Sequence, residues 1–333
     1  MADDSPGGGA ATPSSSDAPA PEQKEQPAER PPFVVGEQAP DGDPDGNADP
    51  NAPSPPDDPA TPPAMQDQLI AKFAPHVHLH PDDDARPANV DWYLARVSMR
   101  FNHDNCPDHE ILALGKVTQA ALVAQTHEDN KSLCRHDSSK PLVSTGSDLF
   151  FLEVADHASY KGSPRAEWKT YVVWRPQASG LVNVEYWFFY PFNDGFTVFD
   201  HESDWEHVRV TIDPKTEKFV ETRFSQHNGG QLLKAGDPKL TFDGTHLIAY
   251  SAKGTHANYP GVGTFTIPGV PLGVAEDTTK AAPAADVWKT ESALVQVGTR
   301  AAPKNGQVFI KFWGRWGEIG DLPETSGVTR HFP

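Results

Sequence analysis

Histidines and carboxylates cluster in one strand-like segment, HESDWEH at residues 201–207. Side chains of a strand alternate between its two faces, so Asp204 and Glu206 share a face with Val208 and Val210. Like charges at the rim of an apolar core raise each other's pKa unless a cation joins them. The spacing therefore predicts a divalent cation bound by Asp204 and Glu206.

Two further ligands are expected at the same place. Asp194 ends the preceding strand-like segment, YWFFYPFND, and a short connection predicts a hairpin that brings it near the pair. His201 joins them if the next strand begins irregularly. Three carboxylates and one imidazole favour Ca²⁺ or Mg²⁺, with Mn²⁺ also suitable, whereas zinc would draw more histidine or cysteine. The alternative is a carboxylate network without metal, salt-bridged to Arg209 or Arg223.

Other histidines lie where strand-like runs meet turn residues. His227 in SQHNGG and His256 in KGTHANYP are candidates for a general base or for ligand binding, and also for ordinary turn residues. Tyr259, close to His256 in the chain, is a further ligand-binding candidate. In HVHLH (76–80) we expect the histidines to face outward, because the alternating Val77 and Leu79 should take the core face.

The first 64 residues differ in composition from the rest. They hold 16 of the 33 prolines and 13 acidic residues against two basic ones. Such a segment buries too little apolar surface to offset its ordering entropy, so residues 1–64 are predicted to be a disordered arm and residues 65–333 a single domain. The acidic balance argues against nucleic acid as a partner.

The folded region is predicted to be mostly β. Strand-like runs rich in β-branched and aromatic residues occur at 169–176, 181–192, 204–213, 218–225, 246–253 and 307–313. They predict an antiparallel, jelly-roll-like β-sandwich. A few peripheral helices are expected, at 65–75 and 108–125, and the Gly- and Pro-rich stretch 260–305 is expected to be a surface excursion.

Sequence features also bear on location. The acidic start of the chain lacks the character of a signal peptide, and no apolar run reaches the length of a membrane span. We expect a cytoplasmic protein or one exported by a non-classical or dedicated route. Cys106 and Cys134 are either a disulfide in an oxidising compartment or two free thiols.

Several blocks carry a family resemblance. FAPHVHLHPDDDARPANVDWYL, YWFFYPFND, SDWEHVRV, SQHNGG, AYSAKGTHANYP and FWGRWG run in the order of the signature blocks of the vacuolar protein sorting-associated protein 62 family, which they closely resemble. The resemblance extends through most of residues 69–320. The family name implies an intracellular, trafficking-related role.

A second, fainter resemblance involves YWFFYPFND and HESDWEH. Both look like segments of the necrosis- and ethylene-inducing peptide one-like cytolysins, β-sandwich toxins in which these side chains hold a divalent cation that binds a sphingolipid sugar headgroup. The resemblance implies Asp194, His201, Asp204 and Glu206 as metal ligands, and His227 matches a histidine of that family. Glu202 and Ser203 stand where the toxins have arginine and histidine.

Two classes of function are therefore expected. The first is a metal-binding β-sandwich that recognises a lipid or glycan headgroup at a membrane surface and possesses a toxin-like, membrane-damaging activity without bond cleavage. The second is a metal-dependent hydrolase of phosphoester or glycosidic bonds, with His227 or His256 as base. The trafficking role follows from the family name alone.

Overall fold

The computed structural model describes residues 61–103, 106–128, 135–140, 149–195, 199–227, 229–267, 275–320, 327–328 and 332. Residues 1–60 of the predicted arm lie outside the described residues. Cys134 does as well, so the choice between a disulfide with Cys106 and two free thiols also lies outside them. Mostly β structure with several antiparallel sheets and few helices confirms the predicted fold class.

Eighteen strands occur in the described residues. They are β1 His76–His78, β2 Val97–His103, β3 Cys106–Leu112, β4 Thr126–Glu128, β5 Arg135–Asp137, β6 Leu149–Val154, β7 Thr170–Pro176, β8 Val182–Asn193, β9 His201–Asp213, β10 Lys218–Gln226, β11 Gly229–Lys234, β12 Phe242–Asp243, β13 His246–Ser251, β14 Asn258–Tyr259, β15 Gly263–Thr266, β16 Glu276–Thr279, β17 Val287–Lys289 and β18 Leu294–Gln296.

The helices in the same residues are short and peripheral. They are α1 Pro63–Phe73, α2 Val90–Leu94 and α3 Gln119–Leu122, with 3₁₀ turns at His157–Lys161, Arg165–Glu167, Ala284–Asp286, Thr290–Ala293 and Val308–Lys311. α1 begins with Pro63, whose fixed φ suits the first helical turn, and buries Leu69, Ile70 and Phe73. None of the helices among these residues is long and apolar enough to cross a bilayer.

A six-stranded sheet forms the centre, in the order β11-β10-β9-β8-β7-β18. Its neighbours are antiparallel except β18 and β7, which are parallel. A second sheet has the order β12-β13-β1-β17, with β14 paired to β13 and a parallel pair between β1 and β13. Three smaller sheets, β3-β2-β6, β15-β16 and β4-β5, complete the described structure.

Apolar side chains cover both faces of the central sheet. Val208, Val210 and Ile212 pack in one core cluster with residues of α1 and of the second sheet, which makes a sandwich. Trp205, on the opposite face of β9, belongs to a second cluster with residues of β2 and β6. The predicted core face of β9 is therefore confirmed. Its other face is buried as well, with Arg209 only 6% exposed.

Three local predictions were wrong. Residues 108–112 of the predicted helix 108–125 belong to β3, because pairing with β2 overrides the helical propensity of this segment, and only Gln119–Leu122 is helical. The predicted strand 307–313 is instead a 3₁₀ turn at Val308–Lys311. The stretch 260–305 is not simply a surface excursion, since it contains β15 to β18 and buries Trp288.

The prediction that the histidines of HVHLH face outward, made from simple alternation, was also wrong. β1 is an inner strand, with both of its edges paired, to β13 and to β17. His76 and His80 are only 3% and 2% exposed, as buried as Leu79 at 2%, while His78 is half-buried.

Candidate functional site

The predicted site lies where β8 ends, β9 begins and a loop, residues 252–257, connects β13 to β14. The amide of Asp194 donates to the carbonyl of Gly254 at 3.1 Å, which fixes the loop against the end of β8. Gly254 has φ +77°, and a Cβ there would lie 1.8 Å from the carbonyl oxygen of Asp194. Only glycine permits this approach, so the loop position depends on it.

The loop places His256 between two carboxylates. Its Nδ1 lies 2.8 Å from Oδ2 of Asp204, and its Nε2 lies 3.5 Å from Oδ2 of Asp83. The ring stacks on Tyr190 with centroids 3.8 Å apart and an interplanar angle of 4°. Asp83 is held in turn by the amide of Gly254, which donates to Oδ2 at 2.8 Å. His256 is only 1% exposed, so it orients Asp204 from beneath the surface.

Three carboxylates surround the buried hydroxyl of Tyr190. Burial raises the pKa of this phenol, and the negative charges of Asp204, Asp83 and Glu206 raise it further. Asp204 and Glu206 are 5% and 7% exposed. The two acids that β9 contributes thus lie together at the edge of the apolar core.

His201 approaches the same group through an irregularity in β9. Ser203 has φ +59°, a left-handed conformation that a serine rarely adopts and that breaks the alternation of the strand. His201 Nδ1 lies 2.7 Å from the carbonyl oxygen of Ser203. Burial lowers the pKa of His201, although the nearby charge of Asp204 opposes this shift. A neutral imidazole that donates through Nδ1 carries its lone pair on Nε2, the form that can ligate a metal.

The same irregularity sends Glu202 away from Asp204. Its Oε2 accepts from the amides of Val154 and Glu318 at 3.1 and 3.0 Å, and its Oε1 accepts from the Tyr160 hydroxyl at 2.9 Å. Burial raises the pKa of Glu202, and these three hydrogen bonds oppose that shift. Glu202 therefore anchors neighbouring segments and adds no ligand to the site.

A second carboxylate and histidine pair lies on the other side of the loop. Asp277 of β16 accepts from His227 Nε2 at 2.7 Å, Thr255 Oγ1 at 2.6 Å and the Tyr259 hydroxyl at 2.7 Å. Burial alone would raise the pKa of Asp277, but the hydrogen bonds and charge of His227, with the two hydroxyls, lower it. The side chain of His227 is 26% exposed, whereas Tyr259 is 4% exposed, so a ligand reaches His227 more easily.

Backbone strain concentrates at this site. Five non-glycine residues of the described chain have positive φ, and three of them are Ser203, His227 and His256. Left-handed conformations of such residues persist only where the surrounding structure enforces them, and they cluster at functional sites.

A family model described as vacuolar protein sorting-associated protein 62 matches residues 57–318. The chain belongs to this family. No curated protein matches this Vps62-family chain by sequence.

Solved structures similar to this Vps62-family chain include a necrosis and ethylene inducing protein and structures described as a toxin fold. Necrosis and ethylene inducing protein 2, from the causal agent of cocoa's witches' broom disease, is 18% identical over 55% of this chain and 61% of its own, with TM-score 0.30. NLPPya in complex with glucosamine is 14% identical over 73% and 78%, with TM-score 0.35. Non-toxic HaNLP3 is 14% identical over 74% and 80%, with TM-score 0.33. TM-scores this low do not establish a common fold.

The structure of this Vps62-family chain brings the predicted ligands into one region without assembling a closed cage. Asp204 and Glu206 both lie near Tyr190, and His201 contacts the carbonyl of Ser203, the residue before Asp204. Asp194 is exposed at the end of β8 beside the loop. Burial raises the pKa of Asp200, and the negative charge of Asp194 raises it further. Asp200 is therefore a further acid close to Asp194. No three of the four predicted ligands have ligand atoms within 4.8 Å of one another, so binding an ion there requires side-chain rotation.

Sequence reasoning missed Asp83 and Asp277. Asp83 lies in the run PDDDA, in which three consecutive acids are typical of a solvated loop, yet it is 7% exposed. Asp277 lies in the stretch expected to be a surface excursion, yet it is 1% exposed. The block pattern around residues 76–94 was the one sequence signal that pointed toward Asp83.

Proposed function

We propose that this chain binds a divalent cation, Ca²⁺ or Mg²⁺, with Mn²⁺ as a further choice, and through it a lipid or glycan headgroup. The observation that carries the proposal is that β9 buries Asp204 and Glu206 at the rim of the core, close to His201, whose Nδ1 is engaged by a carbonyl and whose pKa is lowered by burial. Asp194 would complete the ligand set from the end of β8.

The side chains fit such an ion. Carboxylate oxygens suit hard cations, and a single imidazole makes the set less suited to zinc. His201 engages the Ser203 carbonyl through Nδ1, and Asp204 engages His256 through Oδ2, so His201 Nε2 and Asp204 Oδ1 would be the atoms that bind the ion. His256 and Asp83 would hold Asp204 in place, as outer hydrogen-bonding partners do for metal ligands.

The headgroup class follows from the resemblance of residues 186–194 and 201–207 to the cation-binding segments of the cytolysins. Hydroxyl or phosphate oxygens of a headgroup would occupy the open positions of the ion. His227, at the accessible side of the loop, would contact the headgroup, while His256 and Tyr259 orient Asp204 and Asp277. Activity would be attachment to a membrane, or damage to it, driven by binding energy.

Cosedimentation with vesicles tests this proposal. We expect the protein to sediment with phosphatidylcholine vesicles that contain a hexosyl sphingolipid when Ca²⁺ or Mg²⁺ is present, and to remain in solution with chelator. Glu206→Gln should weaken binding at least tenfold, while Glu276→Gln, which neutralises an exposed acid, should bind as wild type does. Binding that is indifferent to chelator and to Glu206→Gln would refute the proposal, and release of trapped dye separates damage from attachment.

One observation favours a second function, metal-assisted hydrolysis. The pair of His227 and Asp277, joined at 2.7 Å, resembles an imidazole base oriented by a carboxylate. Turnover of a phosphodiester or glycoside by wild type, lost in His227→Gln and in Asp204→Asn, would support a hydrolase. Absence of turnover together with intact vesicle binding would leave the binding function.

A further inference from the structure

A second cluster of possible metal ligands lies in the second sheet, which consists of β12, β13, β1, β17 and β14. Among the described residues, His76, His246 and Glu291 form the group whose ligand atoms all lie within 4.8 Å of one another. They come from β1, the first residue of β13, and the 3₁₀ turn that follows β17. This cluster lies at the start of β1, whereas Asp83 of the site above follows the other end of that strand.

The spacing of two of these atoms matches a zinc site. His76 Nε2 lies 3.2 Å from Oε1 of Glu291. Two ligands each about 2.1 Å from a tetrahedral zinc ion lie about 3.4 Å apart, so this separation can accommodate the ion. The third ligand atom lies within 4.8 Å of the others, so a movement of at most about 1.4 Å would bring it into the same sphere.

Each of the two imidazoles has a polar partner at its Nδ1 atom. His246 Nδ1 lies 2.8 Å from the carbonyl oxygen of Ala74, so this nitrogen donates and Nε2 keeps the lone pair. His76 Nδ1 lies 3.2 Å from Oδ2 of Asp243, which produces a carboxylate–histidine pair of the kind that supports zinc ligands. The two rings stack with centroids 4.4 Å apart and an interplanar angle of 9°.

Carboxylates lie on both sides of the buried His76 ring. Its two nitrogens face Asp243 and Glu291, and its side chain is only 4% exposed. A bound M²⁺ ion would balance the negative charge of Glu291. We propose that His76, His246 and Glu291 bind Zn²⁺, with Asp243 positioning His76 and with water in the remaining coordination position.

The ion would have a structural role. It would join β1, β13 and the turn after β17, segments that are far apart in the chain, and closing such long loops is where a metal stabilises most. Two imidazoles with one carboxylate prefer Zn²⁺ or Co²⁺ to Ca²⁺ or Mg²⁺. This selectivity is the opposite of that proposed for Asp204 and Glu206, so the two sites can be separated by experiment.

Titration of the metal-free full chain with Co²⁺, followed by competition with Zn²⁺, tests the proposal. We expect one equivalent of Co²⁺ to give the visible d–d absorption of a four-coordinate site and Zn²⁺ to abolish it. Glu291→Gln and His246→Gln should each weaken Zn²⁺ at least tenfold, and Asp243→Asn by 10- to 100-fold through His76. Asp204→Asn and the exposed-acid control Asp84→Asn should bind Zn²⁺ as wild type does.

Three results would overturn it. One is a wild-type protein that gives no Co²⁺ spectrum. Another is Zn²⁺ affinity unchanged by both Glu291→Gln and His246→Gln, each shown to be folded by circular dichroism. The last is Zn²⁺ affinity lost in Asp204→Asn but retained in these two variants, which would assign the ion to the first site.

Discussion

Carboxylates and carbonyls orient the histidines of this protein at the level of single atoms. Asp204 accepts from His256, Asp277 from His227, and the carbonyl of Ser203 from His201. Each of these contacts determines which ring nitrogen carries a proton and which is left for a ligand. The first two place a carboxylate beside the imidazole, whereas the third places an uncharged carbonyl beside His201, whose pKa is lowered by burial.

Replacement of Asp277 should change how the free energy of unfolding depends on pH, because Asp277 carries a negative charge in the folded chain. The pKa of this acid is below its ordinary value of 3.8 in the folded chain, so its stabilisation is present above that pH and is lost as pH falls through the folded-state pKa. We expect Asp277→Asn to lower the free energy of unfolding by about 2 kcal/mol at pH 7, with the deficit shrinking below pH 4. Urea denaturation of both proteins across this range is the measurement. A deficit that does not change with pH would contradict the assigned charge.

The loop 252–257 is the element on which the site depends, and its position relies on Gly254. Gly254→Ala should cost about 3 kcal/mol, because a left-handed φ is combined with a clash against Asp194. Gly236→Ala is the matched control, since Gly236 has φ +87° but open space around its Cβ position, and it should cost about 1 kcal/mol. Equal losses of melting temperature in the two variants would show that the loop does not depend on this contact.

The long strands β7 to β10 of the central sheet were predictable from the sequence, and the site was predictable in part. The runs at 169–176, 181–192 and 218–225 are strands because their β-branched and aromatic residues favour the central sheet. The left-handed Ser203 was not predictable, since serine has no preference for that conformation. Asp83 and Asp277 were missed because their roles arise from contacts with residues far away in the chain.

At the scale of the whole molecule, packed residues occur before residue 65. Thr61 is 4% exposed, its carbonyl accepts from Gln66 Nε2 at 2.8 Å, and α1 starts at Pro63. We therefore expect residues 61–333 to melt within about 2 °C of the full chain, because the described contacts of α1 are kept, and residues 65–333 to melt at a lower temperature. A large loss on removal of residues 1–60, measured by differential scanning calorimetry, would show that the arm stabilises the fold.

The central claim, a hard divalent cation at Asp204 and Glu206, is tested most directly by calorimetric titration of the metal-free protein with Ca²⁺ and Mg²⁺. Wild type and Asp84→Asn should bind one equivalent, and Asp204→Asn should bind at least tenfold more weakly while its circular dichroism is unchanged. Equal binding by all three proteins, or none by wild type, would contradict the account.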